Sequence, residues 1–305
     1  MTMKSTINFM RIRHVAFAVT VLLTLISLGS LAVKGLNFGL DFTGGTLIEL
    51  AYEKPAELNQ VREQLRTAGF DDAVVQSFGA STDVLVRLPG DDPLLGNKVA
   101  AALQLSDSTN AIEVQRVEFV GPTVGEELRD QGGLGMLLAL AGVMVYIAFR
   151  FQWKFGLGAI ISLVHDVIVT LGVFSFFELN FDLTVLAAVL AIIGYSLNDT
   201  IVVFDRVREN FRLLRKADLI ENINISTTQT LLRTLATSVS TLLAITALMV
   251  FGGENLWGFS LALFIGVSAG TYSSVYIACI LLVWLKLDRE DLIPTVNAEA
   301  VDDRP

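Results

Sequence analysis

The stretch Leu183–Phe204, LTVLAAVLAIIGYSLNDTIVVF, is apolar over a length that crosses a lipid bilayer as one helix. One acidic residue, Asp199, lies inside it. A carboxylate near the centre of a bilayer costs about 2.5–3.5 kcal/mol on insertion scales, and such residues usually mark a path for protons or ions. This stretch therefore predicts a membrane-spanning helix that carries a proton-handling acid.

Apolar runs of this kind occur six times in the chain. Of its 305 residues, 53% are hydrophobic and only 17% are charged, and the mean hydropathy is +0.60. This composition is too apolar for an ordinary soluble domain, and each run is near or above the length of about 18 residues that a span needs. We therefore predict an α-helical integral membrane protein with six transmembrane helices. The predicted spans are 15–33, 132–149, 155–177, 183–204, 235–251 and 256–285.

Basic residues are concentrated in three segments: before the first span, between the second and third, and between the fourth and fifth. The positive-inside rule places these segments in the cytoplasm, together with both termini. The long segment between the first two spans then lies outside, in the periplasm. The predicted parts are 1–33, cytoplasmic N-terminus and first helix; 34–131, periplasmic domain; 132–285, five-helix transmembrane bundle; and 286–305, cytoplasmic tail.

The outer segment has the pattern of a small α+β domain. Apolar alternation and helical spacing give the order strand-helix-strand-strand-helix-strand, with Gly79 joining the middle strands and Pro93 opening the second helix. This is the order of the ferredoxin-like split unit, so we predict one ferredoxin-like domain between helices 1 and 2. The predicted strands are 46–52, 73–78, 83–88 and 111–120, and the predicted helices are 56–68 and 93–105.

Two further local patterns concern helix ends and helix packing. Segment 210–225 is polar and basic, which predicts a loop, and Ser226 with Gln229 fits a capping box that opens the fifth helix. In the sixth span, Gly266 and Gly270 form a Gly-x-x-x-Gly pair, which is typical of close helix packing.

Composition and motifs exclude several classes of function. A net charge of −9 argues against nucleic acid as a partner. The chain has no Walker-type phosphate loop and no glycine-rich dinucleotide pattern, so we do not expect it to hydrolyse ATP. One cysteine, Cys279, and two histidines, His14 and His165, give no familiar metal-ligand spacing. We expect no cofactor and no metal, and we expect the protein not to be an enzyme.

Asp199 has polar neighbours at helical spacing. Tyr195 and Ser196 lie four and three residues earlier, on the same face of the helix. Burial disfavours the charged form of a carboxyl group and a nearby cation favours it, so a site that moves between these environments can load and release a proton. The alternative is a static hydrogen-bonded group that holds helices together, and the residues alone leave both interpretations open.

Two other positions are candidates for the same path. Arg233 opens the fifth helix and is the obvious counter-charge, although it could instead be an anchor that reaches lipid headgroups. Asp166 lies near the middle of the third span beside His165, where it is a second proton-path candidate or a structural group. The predicted proton path is Asp199, Arg233 and Asp166, with a supporting polar face of Tyr195, Ser196, Asn198 and Thr237.

Two motifs carry a resemblance to a known family. After the first span comes GLDFTGG, residues 39–45, which resembles the signature of the SecD/SecF protein-export proteins. The run 194–210, GYSLNDTIVVFDRVREN, resembles the fourth-span motif of that family. The resemblance covers essentially the whole chain, which is short for a fused SecDF and resembles the separate SecF-type subunit. The signature residues that we single out are Gly39, Asp41, Gly44 and Gly45.

The resemblance implies a six-span member of the RND-type transporter superfamily in the bacterial inner membrane. It implies a heterodimer with SecD, association with the SecYEG channel and YajC, and unfolded exported polypeptides as clients. The family uses the proton motive force to assist late stages of protein export, and Asp199 and Arg233 match its proton-transfer positions. An RND-type exporter of small molecules or lipids, or an uncoupled scaffold of a channel complex, are the alternatives.

Overall fold

The structure, a computed structural model, describes residues 6–288 and 291, apart from 79, 91, 93, 107–109 and 215. Gly79 and Pro93, which were predicted to join two strands and to open a helix, lie outside the described residues, as does most of the predicted tail 286–305. The chain forms two compact units, each with its own apolar core. The helical unit contains residues up to 36, 138–179 and 187 onward, and the α+β unit contains 37–137 and 180–186.

Along the sequence, long helices precede and follow the strands of a four-stranded sheet. The elements are a short 3-10 helix (Phe9–Ile12), α1 (Arg13–Val33), β1 (Asn37–Phe38), α2 (Leu40–Thr43), β2 (Gly45–Tyr52), α3 (Leu58–Thr67), β3 (Val74–Phe78), β4 (Ala80–Leu88), α4 (Leu95–Ser106), β5 (Ile112–Val120), α5 (Pro122–Arg150), α6 (Trp153–Phe176), β6 (Asn180–Phe181), α7 (Leu183–Leu213), α8 (Leu219–Phe251), α9 (Glu254–Val275) and α10 (Ile277–Trp284).

Six helical segments in the described part of the chain are long and apolar enough to cross a membrane, which confirms the prediction of six spans. The sixth is built from α9 and α10, which meet at Tyr276. In the most apolar window of each span, 56% of residues are buried in the third, fourth and sixth, against 6–17% in the first, second and fifth. The interior of the helical unit therefore runs along α6, α7 and α9.

Small residues allow the helices of this interior to approach closely. A Cβ atom added at Gly266 would lie 2.2 Å from Cδ1 of Ile192, and one added at Gly270 would lie 3.1 Å from Cβ of Ser196. Both glycines of α9 therefore face α7. This contact confirms the packing role that the Gly-x-x-x-Gly pattern predicted.

The predicted loop 210–225 is wrong over most of its length. Helix α7 continues to Leu213 and α8 already begins at Leu219. The cap of α8 is Asp218, whose Oδ1 accepts the Glu221 N–H at 2.6 Å, so the predicted capping box at Ser226 is also wrong. Polar residues here are helical and buried because they bond to one another: Asn210 Nδ2 donates to Ser226 Oγ at 2.8 Å.

The α+β unit has the predicted ferredoxin-like topology. Its four-stranded sheet has the order β3-β4-β2-β5 with every neighbouring pair antiparallel, and α3 and α4 lie in the two crossovers. Alternate strand residues such as Ile48, Val84 and Val86 are buried together with Leu65 of α3 and Val99 of α4. Strand β4 begins earlier than predicted, at Ala80, because that residue pairs with Phe78 of β3 before the register shifts to Ser77 opposite Val84.

A second, two-stranded sheet was not predicted. β1 pairs in parallel with β6, with Asn37 opposite Asn180 and Phe38 opposite Phe181. The Asn37 amide donates to Asn180 Oδ1 at 3.1 Å. The ladder therefore ties the segment after α1 to the segment that opens α7.

Candidate proton site

Asp199 is buried on α7, with 3% of its surface exposed, and its hydrogen-bonding capacity is incompletely used. Its Oδ2 atom has no hydrogen-bond partner among the described residues. The charge of Arg233 and the hydroxyl group of Ser238, both on α8, act on the carboxyl group. The structure thus brings together the acid and the arginine that the sequence predicted as partners.

Arg233 acts on Asp199 without a direct ion pair. Its side chain is exposed at the surface of α8, and it forms no ion pair within 4 Å with a described residue. An interaction of this kind through space remains sensitive to small helix movements, because Coulomb energy varies with separation and with local dielectric. The two charges therefore form a pair whose strength can change without breaking a fixed bond.

Hydroxyl groups line the contact between α7, α8 and α9 beside this carboxyl. Tyr195 OH donates to Ser238 Oγ at 3.5 Å, and Ser238 Oγ lies 2.8 Å from Thr271 Oγ1. Thr271 Oγ1 also donates to the Val267 carbonyl of its own helix at 2.8 Å, so the hydroxyl contacts extend from α8 to α9.

Two of the predicted supporting residues do not join this cluster. Asn198, the neighbour of Asp199 in sequence, is exposed. Thr237 Oγ1 donates to carbonyls of its own helix, those of Arg233 at 3.1 Å and Thr234 at 2.9 Å. Ser238 and Thr271, which the predicted site omitted, take their place.

Asp166 has a different environment from Asp199. It is fully buried on α6, and its Oδ2 accepts hydrogen bonds from Ser196 Oγ at 2.5 Å and Ser273 Oγ at 2.7 Å. Its Oδ1 lies 3.1 Å from Nδ1 of His165. Ser273 was missed by sequence reasoning; its position three residues after Gly270, on the face packed against α7, is the signal that could have found it.

The signature residues of the GLDFTGG motif lie in the α+β unit. Gly39 N–H donates to the Phe181 carbonyl at 2.8 Å, and Asp41 Oδ2 accepts the Leu183 N–H at 3.0 Å, which caps the start of α7. Gly44 and Gly45 have φ values of +66° and +112°. A Cβ at Gly45 would lie 2.4 Å from the Leu88 carbonyl oxygen, so only glycine fits.

No group of three or more histidine, cysteine, aspartate or glutamate side chains is arranged to hold a metal ion in the part of the chain that the structure describes. Cys279 is fully buried among apolar residues of α10. The site therefore offers carboxyl, hydroxyl and guanidinium groups, a set suited to holding and moving a proton.

Family models match both the bundle and the motif. Residues 99–288 match the model described as protein export membrane protein SecD/SecF, C-terminal, and residues 29–56 match the SecD/SecF GG motif. The chain belongs to the SecD/SecF family. It is a multi-pass membrane protein and a subunit of the protein-export translocase.

Relatives and solved structures agree with this membership. The chain is 71% identical over 98% of its length, and 98% of the relative's, to protein translocase subunit SecF of Pseudomonas aeruginosa. It is 49% identical to the SecF subunit of Vibrio alginolyticus, covering 95% of this chain and 93% of that one. The crystal structure of SecDF from Thermus thermophilus, a translocon-associated membrane protein, matches with a TM-score of 0.85 and 39% identity. That match covers 94% of this chain and 40% of the SecDF chain.

Proposed function

We propose that this subunit couples the inward movement of protons to late stages of protein export across the bacterial inner membrane. The observation that carries the proposal is the buried Asp199 carboxyl, whose Oδ2 has no described partner and which Arg233 influences from a neighbouring helix. Intramembrane acids with such surroundings usually lie on proton paths. The chain itself catalyses no covalent reaction in this scheme.

The partners that we propose are SecD, the SecYEG channel, YajC and unfolded exported polypeptides. The SecDF chain with the matching fold is much longer, and this chain covers 40% of it. A separate SecD would supply the remainder as a heterodimer. The low burial of the first, second and fifth spans supports this arrangement, because it leaves three helices with large apolar surfaces for further packing.

We propose the orientation that the distribution of basic residues predicts. Both termini and the basic segments lie in the cytoplasm, and the segment 34–131 is the periplasmic domain. The remaining boundaries are those predicted above, with residues 132–285 as the five-helix bundle and 286–305 as the tail. The orientation can be checked with variants that carry a single cysteine at an exposed position. A membrane-impermeant thiol reagent added to intact cells should label cysteines in 34–131 and should not label cysteines in the cytoplasmic segments.

The proposed cycle uses the charge state of Asp199. When the carboxyl group takes up a proton, its attraction to Arg233 is lost, and the packing of α7 against α8 changes. When the proton is released to the cytoplasm, the attraction returns. One charge that moves through 100 mV supplies about 2.3 kcal/mol, which is on the scale of a small rearrangement of packed helices.

The test is the substitution Asp199→Asn in the intact complex, reconstituted in vesicles with a pH-sensitive dye. We expect loss of proton flux and of gradient-dependent export, with assembly of the complex unchanged. Asp205→Asn is the matched control. Asp205 lies on the same helix, but its side chain is half-exposed and forms ion pairs with Arg150 and Arg208. Normal export in the Asp199 variant would refute the proposal, and absence of proton flux in the unmodified complex would favour an uncoupled scaffold.

A further inference from the structure

Asp166 connects three helices through one carboxyl group. Its Oδ2 is the acceptor for Ser196 of α7 and Ser273 of α9, while the residue itself belongs to α6. We propose that Asp166 is a positioning residue, which fixes the rotation of α7 and so holds Asp199 toward α8. This proposal rests on the proposed function of Asp199.

The link from Asp166 to Asp199 is the spacing of residues on α7. Ser196 and Asp199 are three residues apart, so they lie on neighbouring turns of the same helix face. A hydrogen bond that restrains Ser196 therefore restrains the direction in which Asp199 points. Asp166 acts through Ser196 and not by its own contact with the proton site.

The carboxyl also sits where α7 and α9 come closest. Gly270 faces Ser196, and a Cβ added there would lie 3.1 Å from Cβ of Ser196 and 3.2 Å from its Oγ. Ser273, one turn further along α9, donates to the same oxygen of Asp166 as Ser196 does. The bond thus closes a contact that the small residues of α9 make possible.

The polar partners of Asp166 are different from the groups that act on Asp199. The residue is fully buried, and among the described residues it has no hydrogen bond to Asp199 or Arg233. Among the described residues, the basic side chain within ion-pair distance of Asp166 is that of His165. The carboxyl group of Asp166 makes its three polar contacts with His165, Ser196 and Ser273, as expected for a structural group in a low-dielectric interior.

Positioning requires an oxygen acceptor and not an exchangeable proton. The side-chain oxygen of asparagine can accept both serine hydrogen bonds, and its NH₂ group can donate to His165 Nδ1 in the tautomer that is protonated at Nε2. Asp166→Asn therefore preserves the arrangement while removing the acid. Asp166→Leu has similar bulk but removes every acceptor.

The experiment compares both variants with Asp199→Asn in the reconstituted complex, by proton flux into dye-loaded vesicles. We expect Asp166→Asn to stay within about twofold of the unmodified flux and Asp166→Leu to fall at least about tenfold, because misplacing a reacting group by about 1 Å can cost roughly 10²-fold. Loss of flux in Asp166→Asn with the complex assembled would overturn the proposal, as would normal flux in Asp166→Leu. Retained flux in Asp199→Asn would instead refute the proposed function.

A second pair of variants decides the question if Asp166→Leu does not assemble. Ser273→Ala removes one hydrogen bond to Asp166, whereas Ser260→Ala, on the same helix, removes a buried hydroxyl that has no partner among the described residues. We expect flux to fall severalfold in Ser273→Ala and to be unchanged in Ser260→Ala. Equal flux in the two variants would overturn the positioning role.

Discussion

The surroundings of two aspartates in the helical unit differ although the residues are equally buried. Asp166 and Asp199 are 0% and 3% exposed. Both oxygens of Asp166 have partners on three helices, whereas Oδ2 of Asp199 has none among the described residues and a cation acts on it from α8. Burial alone therefore does not distinguish the two carboxyls; what distinguishes them is the unused hydrogen-bonding capacity of Asp199 beside a counter-charge, on which the proposed proton site rests.

The helices that surround the two carboxyls differ in the same way. Asp166 bonds to α7 and α9, which belong to the buried interior of the unit, whereas the groups that act on Asp199 belong to α8, a span with only 17% of its apolar window buried. The interior thus supplies a fixed frame, and the group proposed to change its charge faces one of the three less buried spans. A tightly packed group of helices, α6, α7 and α9, with a charge pair between α7 and α8 is an arrangement in which the packing of α8 can change while the other helices stay in place.

The largest effect expected from the Asp199 side of the comparison is that of Arg233→Gln. Removing the cation that acts on the carboxyl should lower proton flux at least about tenfold, since a change of about 1.4 kcal/mol is sufficient for that factor. Arg212→Gln is the matched control, because Arg212 is an exposed arginine at the end of α7. Unchanged flux in Arg233→Gln, measured in the same vesicles, would show that Asp199 works without a counter-charge and would break the comparison.

The Asp166 side can be tested through the close approach of α7 and α9. In Gly266→Ala the new Cβ would lie within 2.8 Å of three atoms of Ile192, so we expect a loss of about 1–3 kcal/mol of stability from overpacking. The measurement is thermal unfolding in detergent. Gly142→Ala, at a position of α5 with no neighbouring atom within 4 Å, is the control and should not lose stability. A variant at 266 as stable as the control would contradict a rigid interior.

The smallest effect concerns a carboxyl outside the membrane, in the sheet of the α+β unit. Burial raises the pKa of Glu49 above its ordinary value of 4.5, and the nearby Arg116 offsets part of this rise. A raised pKa favours the protonated form in the folded state, so the free energy of unfolding falls as the pH rises from about 4.5 through the folded-state pKa. Glu49→Gln should remove this loss, on the order of a few tenths of a kcal/mol.

Chemical denaturation at pH 4 and pH 7 would measure the Glu49 effect. Glu113→Gln, an exposed substitution on a strand of the same sheet, has the same change in net charge and serves as the control. A pH dependence that is identical in the two variants would show that the environment of Glu49 is as hydrated as an exposed strand. Such a result would remove the contrast between titrating and structural carboxyls for this unit.

Much of the fold was accessible from the sequence because its signals are local. Six long apolar runs define six spans, and alternation along 46–52 and 111–120 matches the two neighbouring strands β2 and β5. The helical extent of α8 was underestimated because Asn222 and Asn224 read as loop residues. They are helical because they find partners in distant segments, for example Asn224, whose Oδ1 accepts the Met10 N–H at 3.0 Å.

The candidate site was predicted in part for the same reason. Acids inside apolar runs and an arginine at the start of a span are conspicuous, so the sequence singled out Asp199, Asp166 and Arg233 as candidates. Their partners were not, since Ser238, Thr271 and Ser273 are small hydroxyl residues whose role depends on which helices pack together. The parallel pairing of β1 with β6 has a sequence signal in hindsight, because Leu-Asn-Phe occurs at both 36–38 and 179–181. A pairing between segments so far apart cannot be derived from local periodicity.

The beginning of α7 is held by two carboxylates that come from separate segments. Asp41 Oδ2 accepts the Leu183 N–H at 3.0 Å, and Asp182 Oδ1 accepts the Val185 N–H at 2.8 Å. Sliding this helix along its own axis, relative to the segment of Asp41, would break the bond to Leu183 and uncover a positively polarised amide, whereas the Asp182 cap belongs to the start of the helix and moves with it. Axial translation of this helix end therefore costs the hydrogen bond to Asp41, so the motif aspartate fixes the height at which the first turn of α7 begins.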